Sequence, residues 1–130
     1  MKQTFTGGKG FGLWLLWNGI KDETKWDSPE NELVIAGGPI GGITAYPGTG
    51  KCTAVTISPL TRSIIDSNGG GNFGPYLKFA GFDALEIQGK SDREVIIVID
   101  GDLGKVTIED APLDPVNTHL INRLLTDMYA

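Results

Sequence analysis

Three consecutive glycines between two asparagines, in Ser67-Asn68-Gly69-Gly70-Gly71-Asn72-Phe73-Gly74, place the tightest limit on how this chain folds. An apolar run, Ser63 to Ile65, leads in, and a helical pattern, Phe73 to Ala80, leads out. Main chain without Cβ atoms reaches positive φ and lets a ligand come against the backbone. A helix that begins just after such a loop turns its free N–H groups and the positive end of its dipole back toward it. That combination suits a phosphate. Gly69, Gly70 and Gly71 are therefore expected to hold the phosphate end of a cofactor.

Ten more of the 19 glycines cluster in 7–12 and 37–50, so they mark local backbone demands. Gly7 to Gly12 reads as a flexible opening loop. Leu13 to Ile20 reads as a short helix, apolar nearly all round, which needs cover on most sides; that points to a neighbouring domain or subunit. Leu33 to Ala36, Cys52 to Ile57, Ser63 to Ile65 and Leu85 to Ile87 read as strands. The long loop Gly37 to Gly50 is the kind that is usually functional. Phe73, Tyr76, Leu77 and Ala80 have the spacing of one buried helix face. Asn72 is placed to cap that helix, Pro75 falls in its first turn and Gly81 ends it. Val95 to Ile99 and Lys105 to Ile108 flank Asp100-Gly101-Asp102-Leu103-Gly104 as a β-hairpin. Asp114 and Pro115 open a last helix whose stripe is Val116, Leu120, Ile121, Leu124, Leu125 and Met128. The order predicts a single α+β domain over 1–130, with mixed or antiparallel sheets and about three helices.

Composition removes several classes of function. The chain has 130 residues with a net charge of −5 and no basic stripe, which argues against nucleic acid. The apolar run Phe11 to Trp17 is too short to span a membrane and lacks a cleavage signature, so no membrane partner is expected. One cysteine, Cys52, allows no internal disulfide and no cluster of several thiolates, in keeping with a cytoplasmic setting.

Two motifs resemble nucleotide sites and fail on context. Gly69-x-Gly71-x-x-Gly74 matches the dinucleotide fingerprint, but the strand before it is short and Asp92 sits in a charged turn. Ala45 to Cys52 looks like a phosphate-binding loop in which the first glycine is Ala45 and the metal-binding hydroxyl is replaced by Cys52. Lys51 can still contact a phosphate, or can be a solvated charge at a strand start. His119, the only histidine, lies off the apolar stripe with no sequence partner for catalysis. The acidic segment Asp22 to Glu32 offers no carboxylate pair that spacing alone makes catalytic. Residues alone thus give a cofactor-binding domain whose chemistry lies elsewhere, with an unrelated nucleotide-binding module as the competing class.

Five strings in order carry a resemblance: Thr6 to Gly12, Ala36 to Gly42, Ser58-Pro59-Leu60-Thr61, Asp66 to Gly70, and Phe73 to Ala84. Together they resemble the N-terminal domain of the tungsten-dependent aldehyde:ferredoxin oxidoreductases, from about Thr6 to the final helix. The resemblance implies a tungsten bis-pterin cofactor with Mg²⁺, a [4Fe–4S] cluster held by other domains, oxidation of aldehydes to carboxylic acids and electron transfer to ferredoxin. It implies that the backbone carbonyl of Asn68 binds the Mg²⁺ bridging the pterin phosphates, and that Gly70 offers main-chain contacts. Lys51 stands where the family usually has Arg, so a planar two-point grip is lost; Lys9 likewise replaces the Arg of a Gly-Gly-Arg-Gly motif. The family's opening hairpin, the rest of its N-terminal domain and its cysteine-bearing domains lie outside these 130 residues. The chain is therefore expected to be a fragment, a small subunit or a relic, inactive alone and prone to self-association through uncovered apolar surface. Related readings are part of a tungsten aromatic acyl-CoA reductase, and a non-catalytic scaffold that kept the fold.

Overall fold

A computed structural model describes residues 3–112 and 117–129. Among them, in chain order, run α1 (Lys9–Gly19), β1 (Glu32–Gly37), β2 (Cys52–Ile57), β3 (Ile64–Gly69), α2 (Phe73–Phe79), β4 (Ala84–Gln88), β5 (Val95–Asp100), β6 (Lys105–Asp110) and α3 (Thr118–Tyr129). The first four strands form one antiparallel sheet in the order β3-β2-β1-β4, and β5 and β6 form a separate two-stranded sheet. The α+β expectation holds. The chain divides into two compact units, residues 1–90 with 99–105, and residues 91–98 with 106–130.

The first unit is built around β1, flanked on both edges. Its alternation buries Glu32, Val34 and Ala36 on one face. There Leu16 of α1 meets Val34 and Val55, with Leu15, Ile20 and Ala84 around them. Close packing explains the glycine in the helix: a Cβ on Gly12 would lie 2.4 Å from Val55 Cγ2. The helix starts four residues earlier than the sequence pattern predicts. Gly8, at φ 54°, takes the N-cap position and its N–H donates to the Gly37 carbonyl at 2.8 Å. The glycines read as a flexible opening loop are thus the anchored first turn of α1. The helix leaves Leu13, Trp14 and Trp17 exposed, the last at 74%.

Two further differences concern the central segment. Strand β3 runs on through Ser67, Asn68 and Gly69, where a loop was expected, because each finds a partner on β2: Ala54, Thr53 and Cys52. Sheet pairing overrides the weak strand propensity of Ser, Asn and Gly. Helix α2 buries only Gly74 and Leu77, while Phe73 and Tyr76 are exposed. Asn72 stands at its N-cap without making a side-chain cap bond. Its C-terminus closes as expected: Gly81 at φ 90° donates to Lys78 O and Phe82 N–H to Leu77 O.

In the second unit, α3 is capped by Asn117, whose Oδ1 accepts from the His119 and Leu120 N–H groups at 2.8 and 3.4 Å. The expected cap Asp114, with Pro115 and Val116, lies outside the described residues. No residue of α3 is fully buried, and Leu120 and Met128 are exposed. Tyr129 Oη donates to Glu109 Oε2 at 2.7 Å, and Arg93 Nε pairs with Asp110 Oδ1 at 2.9 Å.

Candidate functional site

The two glycine-rich segments meet at the end of the sheet where β2 starts and β3 stops. A Cβ on Gly50 would lie 3.2 Å from the Gly71 carbonyl oxygen, and one on Gly74 would lie 3.1 Å from the Lys51 carbonyl oxygen. The Lys51 ammonium is the nearest group to Gly70, 3.4 Å from where its Cβ would be. Gly71, at φ 103°, has nothing within 4 Å of its Cβ position. Gly69, Gly70, Gly71 and Lys51 are all exposed. The bare main chain therefore faces open space with one cation over it, and is not closed against the interior.

Loop 37–50 is held as a chain of turns. Gly42 N–H donates to Thr49 O at 3.1 Å and Thr49 Oγ1 to Ile43 O at 2.9 Å. It packs on α2 so tightly that a Cβ on Gly42 would come 2.6 Å from Phe79 Cε1. Around the glycines stand exposed aromatic rings, Tyr46, Phe73 and an edge-to-face pair, Tyr76 and Phe79.

The position of the Asn68 carbonyl follows from ladder geometry. In an antiparallel pair, residues alternately point both main-chain polar groups at the neighbouring strand and away from it. Ser58 N–H donates to Ser63 O at 2.8 Å, so Ser63 faces β2. Counting along the unbroken register, Ile65, Ser67 and Gly69 face β2, and Ile64, Asp66 and Asn68 face outward. The other side of the sheet agrees: Gly37 N–H donates to Asp83 O, which turns Gly37 toward β4 and, two strands on, gives the same parity for β3. Since β3 is an edge strand, the Asn68 carbonyl lies on an open edge. Its side chain is held separately, Thr53 Oγ1 donating to Asn68 Oδ1 at 3.1 Å.

Three sequence readings are settled by this arrangement. The Gly69-x-Gly71-x-x-Gly74 match lies after an antiparallel edge strand, which removes the doubly wound context. Lys51 precedes a strand and not a helix, which removes the phosphate-loop reading of Ala45 to Cys52. Helix α2 has seven residues, so its dipole adds little to the loop. His119 is exposed on α3, and Cys52 Sγ lies 3.8 Å from Gly69 O. No group of three or more His, Cys, Asp or Glu among the described residues could hold a metal ion. Two clefts of about 370 and 390 Å³ open instead beside Arg62, and neither is lined by a residue of the glycine segment. Thr53 escapes a reading by motif and only the strand register points to it, while Lys9 and Asp66, both in the resembling strings, are joined by an ion pair 2.6 Å long that those motifs do not foretell.

The fold, an antiparallel sheet with a glycine-lined open edge, has counterparts among known proteins. The family profile for the aldehyde ferredoxin oxidoreductase N-terminal domain matches residues 1–130. The chain is 43% identical over 105 residues to the tungsten-containing aldehyde ferredoxin oxidoreductase of Pyrococcus horikoshii, covering 81% of this chain and 17% of that protein. It is 35% identical over 130 residues to the enzyme of the same description from Thermococcus kodakarensis, covering 100% and 20%. A solved structure of the active site complex BamBC of benzoyl coenzyme A reductase superposes with a TM-score of 0.80 at 33% identity, over 94% of this chain and 18% of that one. The chain belongs to the aldehyde ferredoxin oxidoreductase N-terminal domain family. It spans about a fifth of the length of the relatives it matches.

Proposed function

We propose that residues 1–130 act as one cofactor-binding domain, the N-terminal portion of a tungsten bis-pterin oxidoreductase of the aldehyde:ferredoxin type. The observation that carries this reading is the outward Asn68 carbonyl beside open Gly70 and Gly71, with the Lys51 ammonium over Gly70. A carbonyl oxygen suits a hard cation such as Mg²⁺, and an ammonium suits a phosphate. Gly69, Gly70 and Gly71 supply approach without side chains. When bound, the tungsten–pterin group supplies the redox centre for oxidising an aldehyde to a carboxylic acid. The [4Fe–4S] cluster and the ferredoxin contact belong to polypeptide beyond these residues, and the chain alone is inactive. That polypeptide, a second subunit or a second copy covers the apolar surface left on α1, in a cytoplasmic setting.

Tungsten and pterin content of the protein purified with its accompanying polypeptide tests the proposal. Lys51→Ala removes one charge-assisted contact, which is of order 1.5–3 kcal/mol, so affinity for the cofactor falls about 10- to 150-fold. Asn68→Ala keeps the carbonyl and retains most of the metal. Equal tungsten in wild type and Lys51→Ala overturns the assignment. The likeness to the benzoyl coenzyme A reductase complex favours a second reading, part of a tungsten aromatic acyl-CoA reductase. Turnover of an aldehyde against an aromatic acyl thioester separates the two.

A further inference from the structure

A polar cluster beneath the last turn of α1 lies at the opposite end of β1 from the glycine-lined edge. Glu32 opens β1 and faces the same way as Val34 and Ala36, onto the side of the sheet that α1 covers, and is only 2% exposed. Gln88, its partner across the β1–β4 ladder, donates from Nε2 to Glu32 Oε1. The other oxygen, Oε2, is buried with no hydrogen-bond partner. Glu86, two residues along β4 from Gln88, is exposed and lies on the same face, diagonally across the ladder from Glu32. Gly19 closes the cluster from above, where any Cβ would overlap the Glu32 carboxyl. A buried carboxylate with an unpaired oxygen, next to a second carboxylate, is a costly arrangement. One proton removes both defects, because a carboxylic acid supplies the single O–H donor that the cluster lacks.

We propose that Glu32 carries a proton in the folded protein and donates it toward the exposed Glu86 carboxylate, so that a buried carboxylic acid fastens the end of α1 to β1 and β4. The surroundings agree. The last turn of α1 holds no charged side chain, and its carbonyl end opposes a further negative charge. Strand β2 contributes no charged residue. The rim of the adjoining cleft holds Asp27 and Lys90, and among the described residues Glu32 has no ion pair. Burial, and then the facing Glu86, raise the Glu32 carboxyl above its ordinary range, against a smaller opposing pull from the Gln88 N–H.

The sign of the linkage follows. Between the ordinary carboxylate range and the raised value, the folded state binds a proton that the unfolded state does not. Stability is fully present below the unfolded value and is lost as pH rises through the raised one. Thermal unfolding across about pH 5 to 8 tests this on wild type, Glu32→Gln and Glu86→Gln. Glu32→Gln keeps the donor without the charge, so its midpoint is expected to exceed wild type at the alkaline end and to lose the alkaline fall. Glu86→Gln removes the facing charge and reduces the same fall. A protonated-carboxyl C=O stretch in the infrared spectrum near neutral pH, absent from Glu32→Gln, is the second readout. A wild-type spectrum without that band, or a Glu32→Gln midpoint that follows wild type across the range, overturns the proposal.

Discussion

Strands β1 and β3 have the same length and lie two places apart in one sheet, yet they do opposite work. β1 has a neighbour on each side, a helix over one face, and Val34 and Ala36 at 0% exposure. β3 has one neighbour and no buried residue, with Asp66 half-buried and the rest exposed. Side chains define the first strand. The main chain defines the second, through groups that an interior strand would have consumed in its ladder. On the proposed function, stability and ligand binding are separated by two strand positions, and substitutions should separate them too.

The largest effect is expected on the β1 side. Leu16→Ala opens a cavity against Val34 and Val55 and costs about 2–5 kcal/mol, read as a lower urea midpoint. Gly12→Val drives two methyl groups into Val55 and costs about 1–3 kcal/mol in the same measurement. On the β3 side, Gly70→Val should leave the midpoint within about 0.5 kcal/mol, since only the Lys51 side chain stands near, while tungsten content falls. A large midpoint shift there would break the separation. Lys9→Met has a small effect, about 0.2–1 kcal/mol, because its pairing with Asp66 is partly in solvent.

The sequence made the β1 side readable and the β3 side only half so. The apolar run Leu33 to Ala36 and the alternation with Thr in Cys52 to Ile57 are legible as strands, and Gly81 marks the end of α2 by its backbone. The first turn of α1 was hidden, because Gly8, Gly10 and Gly12 look flexible unless one knows what packs on them. Phe73 and Tyr76 have core-like spacing, but α2 buries little beyond Leu77. Asn68 was found as part of a motif, whereas the outward direction of its carbonyl depends on long-range register. The carboxyl pair of Glu32 and Glu86 joins residues far apart in sequence and leaves no local signature.

Because consecutive residues of β3 alternate between the ladder and the open edge, what is encoded there is a count as much as a composition. Lengthening the β2–β3 turn would leave the phase untouched. Adding or removing one residue between Ile64 and Asn68 would invert it, handing the carbonyl of Asn68 to β2 and offering that of a neighbour in its place. Such a frameshift in space would also turn the Asn68 side chain away from Thr53, and it would silence the edge.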